Sequence, residues 1–125
     1  MWEMPDEDNR TEVQHILEDQ DDWAVFVACA PDDKCIGFVE SWLREYAEGA
    51  STSPVGYIEG WYVEEEFRCK GVGRRLVAAA EDWARSRGCT QMASDAEIDN
   101  VGGIRAHHQL GYAEVTRIVC FLKDL

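Results

Sequence analysis

Apolar and polar positions change period several times along this chain, and each change marks an element. After Thr11, "EVQHILEDQ" places Val13, Ile16 and Leu17 at helical spacing, so the pattern predicts an opening helix with Thr11 as its N-cap. "WAVFVACA" (Trp23 to Ala30) is dense in β-branched and aromatic residues and predicts a strand. "PDDK" (Pro31 to Lys34) is turn chemistry, and "CIGFVESWLR" (Cys35 to Arg44) alternates as the returning strand of a hairpin. "EYAEGASTSP" (Glu45 to Pro54) is a long polar loop suited to a lid or a substrate wall. "VGYIEGWYV" (Val55 to Val63) predicts a third strand, with Gly60 as a candidate bulge.

A longer period then takes over. Leu76, Ala80, Trp83, Ala84 and Arg87 share one helical face, Glu81, Asp82 and Arg85 lie elsewhere, and Gly88 ends the helix. "CTQMAS" (Cys89 to Ser94) predicts a strand ending at Asp95. Asn100 to Gly111 predicts a short helix, N-capped by Asn100, stopped by Gly111 and weakened by Gly102 and Gly103. "YAEVTRIVCFLKDL" (Tyr112 to Leu125) reads as strand material, bent or bulged. The predicted order is helix, three strands, helix, strand, helix, strand: a mixed α/β domain whose first half is largely antiparallel.

Composition narrows the function classes. At 125 residues the chain has the length of a single domain spanning 1–125. Twelve Lys and Arg against 25 Asp and Glu give a net charge of −13. That balance argues against nucleic acid as a partner and permits a cationic small molecule, although solubility alone is the commoner cause. No apolar run approaches the ~20 residues that span a bilayer, so no membrane role is expected. "MWEMPDEDNR" has no apolar core of a signal peptide, and the expected location is cytoplasmic. The five cysteines are scattered without metal-ligand spacing, so reduced, mostly buried thiols and no metal are expected.

Against this acidity, "VEEEFRCKGVGRRLV" (Val63 to Val77) stands out. Arg68, Lys70, Arg74 and Arg75 cluster around Gly71 and Gly73 between a strand and a helix. Unsatisfied N–H groups at a helix start, approachable at glycine and surrounded by cations, make a pyrophosphate cradle. Basic residues oppose the dipole at a helix N-terminus, so a merely solvated helix start lacks an energetic rationale. The Walker pattern GxxxxGK[ST] is absent, and so is the full GxGxxG fingerprint. The acidic triplet Glu64 to Glu66 reads as a solvated run.

Arg68-x-x-Gly71-x-Gly73 instead resembles the acyl-CoA signature of the GNAT N-acetyltransferases. The likeness goes further. "GYIEGWYVEEEFRCKGVGRRLVAAAEDWARSRGC", "MASD" and then Asn100, His107, "LGY" and Glu114 recur in the order and spacing of the aminoglycoside 6'-N-acetyltransferases. The resemblance runs from about Ser53 to Lys123, with looser likeness through Trp2, the hairpin strands and "REYAEG". It implies the GNAT fold: a twisted, mixed, mostly antiparallel sheet with flanking helices and two central strands that splay apart. By that resemblance the sequence is expected to start inside the family pattern, without the further strand and helix with which members usually begin. They also usually carry Ser at the position of Gly103 and an acid at that of Thr116.

The resemblance assigns roles as well. Acetyl-CoA is the implied cosubstrate, its pantetheine arm hydrogen-bonding Trp61 and Val63 like an added strand. Its pyrophosphate would lie along Arg68, Lys70, Gly71, Val72, Gly73 and Arg74, with Asn100 and His107 on the pantetheine and thiol side. Acetylating an amine requires a proton acceptor, and Asp95 is the candidate general base and aminoglycoside ligand. Glu59, facing either core or cleft, is the alternative base or a substrate ligand. A backbone N–H near Val63 would meet the oxyanion. His107 either protonates the departing thiolate or only contacts CoA, the latter being the more ordinary role for a lone helix histidine. Trp2, Tyr46, Asp95 and Glu114 are implied for the polyamine sugar, and a homodimer, in which the apolar C-terminal strand could pair or swap, is the implied assembly. The rival readings are a GNAT enzyme for another amine, such as a polyamine or a protein N-terminus, and a non-catalytic acyl-CoA-binding module.

Overall fold

The structure, a computed structural model, describes residues 11–19 and 22–125. The chain divides into two compact units, Met1–Asp95 and Ala96–Leu125. The first holds a five-stranded sheet in the order β1-β2-β3-β4-β5. Its strands are β1 (Glu12–Asp19), β2 (Trp23–Cys29), β3 (Cys35–Arg44), β4 (Val55–Val63) and β5 (Met92–Ser94). The first four pair antiparallel, and β5 runs parallel to β4. Between β4 and β5 lie a short 3-10 turn (Glu65–Phe67) and helix α1 (Val72–Ser86).

Helix α1 forms where the 3.6-residue period placed it. Val72, Leu76, Val77, Ala80, Trp83 and Ala84 are all buried, and Gly88 follows its end with φ of +92°. Complete burial of a side chain such as Leu76 is worth about 2 kcal/mol. The sheet meets this face with Ala24, Phe26, Ala28 and Val39, all buried. Close approach is possible because β4 carries Gly56 under the helix: a Cβ there would stand 2.9 Å from the Ala84 Cβ and 2.4 Å from the Met92 sulfur. Phe38, Glu40 and Trp42 alternate onto the other face of β3, where the Glu40 carboxylate accepts from the indoles of Trp23 (2.7 Å) and Trp42 (3.3 Å).

The hairpin, polar loop and third strand follow the sequence reading. The bulge expected at Gly60 is present: Gly60 opposes Glu40, but the next β3 residue, Ser41, opposes Ile58, so Glu59 is the extra residue. Other expectations are corrected. The segment after Thr11 is strand β1, not a helix. A lone amphipathic turn of that length is marginal, whereas the open edge of β2 supplies a hydrogen-bond ladder interrupted only between His15 and Leu17. Strand β5 is shorter than Cys89–Ser94, since the Cys89 amide closes the helix end on the Ala84 carbonyl and the Gly56 amide takes the Gln91 carbonyl before regular pairing begins. The cysteines are not mostly buried: Cys89 is, Cys29 is half-buried, and Cys35, Cys69 and Cys120 are exposed.

The second unit contains helix α2 (Val101–Gln109), with Asn100 as its N-cap and Gly111, at φ of +93°, beyond its end. The strand expected over Tyr112–Leu125 is not formed. High β-propensity makes a strand only where an edge pairs with it. Val115, Ile118, Val119, Phe121 and Leu122 are left exposed instead.

Candidate active site

The central feature of the first unit is where β4 and β5 part company. Their parallel pairing covers only Gly56, Tyr57 and Ile58 against Met92, Ala93 and Ser94. Beyond Ile58, β4 continues to Val63 with no β5 residue opposite it. This is the expected splay, and it leaves backbone groups of β4 available to an extended ligand on that edge.

At the far end of that edge the chain enters the glycine loop. Gly71 is the N-cap of α1 with φ of +87°, a left-handed conformation that L-residues avoid. A Cβ there would find nothing within 4 Å, so the space over the loop is open. No side chain caps the helix, which leaves its first N–H groups as anion donors. Gly73 carries the Trp61 ring close against it, 3.2 Å from where a Cβ would stand. Val72 is buried, so only its backbone can serve a ligand. Arg68 turns back: its Nε donates to the Val63 carbonyl at 2.6 Å, and its guanidinium lies 5.3 Å from the centre of the Tyr62 ring. It therefore braces the loop against the end of β4.

The other end of the splay carries the acids. Asp95 follows the last paired residue of β5, and its Oδ2 accepts a 2.6 Å hydrogen bond from the Tyr57 hydroxyl. Among the described residues its Oδ1 has no partner, and the residue is exposed. Burial, together with the hydrogen bond and charge of Asp95, pushes the Tyr57 phenol up to about 12, although the nearby Arg44 cation opposes the shift. The phenol therefore stays protonated and keeps donating. The Arg44 guanidinium lies 3.6 Å from the centre of the Tyr57 ring and bonds Glu59 through Nε at 3.0 Å and Nη2 at 2.5 Å. Glu59 is thus exposed on the bulge but neutralised by Arg44, which leaves Asp95 the more available proton acceptor.

Tyr57, Arg44 and Gln91 are the residues that sequence reasoning missed. Tyr57 and Arg44 read as ordinary strand residues, and only the register brings Arg44 of β3 beside β4. Gln91 Oε1 accepts from the backbone N–H groups of Ser51 (2.8 Å) and Thr52 (3.1 Å) and from the Thr52 hydroxyl (3.0 Å). The 45–54 loop is thereby pinned to the approach of β5. Tyr46, on the same loop, is exposed, and the negative charge of Glu48 raises its phenol above the usual range.

The remaining candidates belong to the second unit. The Asn100 side chain accepts from the Gly103 amide at 2.9 Å, so its oxygen caps α2. His107 Nδ1 stands 2.7 Å from the Gly103 carbonyl, an acceptor, and so donates its proton there; its ring meets Tyr112 edge-on. Glu114 pairs with Arg117, whose hydrogen bond holds the carboxyl below its ordinary range. Trp2 lies outside the described residues. Among the described residues, no helix is long and apolar enough to cross a membrane, and no group of three or more His, Cys, Asp and Glu could hold a metal ion.

Comparison with known proteins agrees with this geometry. The model of the acetyltransferase (GNAT) family matches residues 1–112. An aminoglycoside N(6')-acetyltransferase type 1 of Stenotrophomonas maltophilia is 45% identical over 103 residues, covering 82% of this chain and 67% of the relative. The protein of that name from Serratia marcescens is 39% identical over 120 residues, covering 95% of this chain and 82% of the relative. Among solved structures, AAC(6')-Iy in complex with the bisubstrate analog CoA-S-monomethyl-acetylneamine superposes with a TM-score of 0.79 at 37% identity, covering 84% of this chain and 71% of that one. A splayed β4–β5 pair, a left-handed glycine opening α1 and these likenesses lead to one conclusion: the chain belongs to the GNAT acetyltransferase family, with the aminoglycoside 6'-N-acetyltransferases as its relatives.

Proposed function

We propose that this chain, as a single GNAT domain, transfers an acetyl group from acetyl-CoA to the 6'-amine of an aminoglycoside and so confers resistance. The observation that carries the reading is the arrangement along β4. An open strand edge leads from an anion-ready glycine loop at one end to a carboxylate, Asp95, at the other. The residues present fit acetyl-CoA. The β4 edge at Trp61 and Val63 would hold the pantetheine amides, and the N–H groups around Gly71, Val72, Gly73 and Arg74 would hold the pyrophosphate, with Lys70 adding charge. Arg68 acts by bracing the loop. When bound, acetyl-CoA supplies an activated thioester.

Asp95 accepts the proton that the substrate ammonium must lose before its nitrogen can attack, directly or through a water. Tyr57 holds Oδ2 and leaves Oδ1 for the amine. Glu59, charge-paired with Arg44, positions substrate rather than taking the proton. A backbone N–H near Val63 would serve as the oxyanion donor. By the family resemblance, Asn100 and His107 are assigned to the CoA thiol side, and Trp2, Tyr46 and Glu114 to the sugar. The location is cytoplasmic. The assembly is a homodimer in which the apolar 112–125 segment pairs or swaps between subunits. A thiol-release assay with acetyl-CoA tests the activity: turnover with kanamycin or tobramycin is expected. Turnover with spermidine alone would place the chain with another amine, and acetyl-CoA binding without transfer to any amine would make it a binding module.

A further inference from the structure

Two thiols face each other at the end of the β2–β3 hairpin, and neither has been given a role above. Cys29 and Cys35 are cross-strand partners in the ladder, and their sulfur atoms stand 3.9 Å apart. A turn closed by the Ala30 amide on the Lys34 carbonyl (2.8 Å) holds the two strands together at this point. Cys35 is exposed and Cys29 half-buried, so a reagent in solution reaches Cys35 first. We infer that Cys29 and Cys35 form a redox-modification site, closed to a cross-strand disulfide by a low-molecular-weight disulfide such as oxidised glutathione. The sulfurs must approach to about 2.0 Å, a distance that side-chain rotation at an exposed hairpin end can cover.

The exchange balances. The Cys35 thiolate attacks one sulfur of oxidised glutathione and releases one glutathione thiolate. The Cys29 thiolate then attacks the Cys35 sulfur of that mixed disulfide and releases the second. Two protein thiols are oxidised, one glutathione disulfide is reduced, and the two cysteine protons end on the two glutathione thiols. Burial, the hydrogen bond to Cys35 and the negative charges of Cys35, Asp33 and Glu12 push the Cys29 thiol up, so the closing step quickens as pH rises. The bond also reaches toward the glycine loop. Ile36, the neighbour of Cys35, accepts the Glu64 amide at 2.8 Å, immediately after β4. A stapled hairpin end therefore restrains that amide.

The site is independent of the acetyl-transfer reading and is tested without substrate. The chain is incubated with oxidised glutathione, alkylated and digested with trypsin under non-reducing conditions. Lys34 separates the two cysteines, so the expected product is a linked pair, residues 11–34 joined to residues 35–44, that dithiothreitol splits. Cys35→Ser should abolish it. Recovery of Cys29 and Cys35 only as alkylated or glutathione-capped peptides, or linkage of Cys35 to Cys69 or Cys120, would overturn the assignment. Amide hydrogen exchange at Glu64 should slow severalfold in the oxidised protein. Equal rates in the two states would refute the coupling to the loop.

Discussion

Replacing Tyr57 with Phe removes one oxygen and little else. The ring is 9% exposed and packs with Ala47 and Val55, contacts that a phenylalanine keeps. What is lost is the 2.6 Å bond that holds Oδ2 of Asp95. A hydrogen bond to a charged group is worth about 1.5–3 kcal/mol, but Asp95 is exposed and water takes the empty place, so the net loss is about 1 kcal/mol. For a chain of this size that lowers the melting temperature by about 4 °C. If Tyr57 aims the proton acceptor, the same ~1 kcal/mol enters the barrier and lowers kcat/KM for the aminoglycoside about fivefold. The KM for acetyl-CoA should not move, since the glycine loop is untouched. Thermal unfolding and two-substrate kinetics on Tyr57→Phe check both numbers. A lower melting temperature with unchanged aminoglycoside kinetics would show that Tyr57 only supports the fold, and a raised KM for acetyl-CoA alone would show that the acid end of the splay has been misassigned.

Asp95→Asn should cut turnover by roughly 10²–10⁴, the usual range for losing a proton acceptor, with acetyl-CoA affinity by calorimetry near wild type. Collapse of acetyl-CoA binding would contradict the role given to Asp95. Gly71→Ala forces a Cβ into a left-handed conformation at a cost of about 1–2 kcal/mol and should weaken acetyl-CoA binding by on the order of tenfold, measured by the same titration. Gly56→Ala drives a methyl into Met92 and Ala84, and overpacking of about 1–3 kcal/mol should appear as a lower urea midpoint. The raised Tyr57 phenol gives a pH signature. Its folded value of about 12 exceeds the ordinary value near 10, so its stabilisation is complete below about pH 10 and is lost as pH climbs through about 12. The stability advantage of wild type over Tyr57→Phe should therefore shrink across that window in alkaline denaturation, and a constant advantage would contradict the assignment.

The sequence by itself determined the parts whose signal is local. The buried face of α1, the hairpin Trp23–Arg44 and its turn, the bulge at Gly60 and the stops at Gly88 and Gly111 follow from periodicity and turn chemistry within a few residues. So does the glycine loop, because a left-handed glycine and uncapped N–H groups are properties of one strand-to-helix junction. Tertiary structure decided everything that depends on a partner. Residues 12–19 carry a helical pattern yet pair as β1, because an open sheet edge offers more hydrogen bonds than a short isolated helix can. Residues 112–125 carry strand propensity yet form no strand, because no edge among the described residues pairs with them. The acid end of the site is of the same kind. Asp95 and Glu59 could be named from the sequence, but Tyr57 and Arg44, which hold one and neutralise the other, are joined to them only by cross-strand register. A hydrogen bond spanning 38 positions has no counterpart in any local pattern, and that contact, more than the identity of the carboxylate, distinguishes Asp95 from a solvated loop acid.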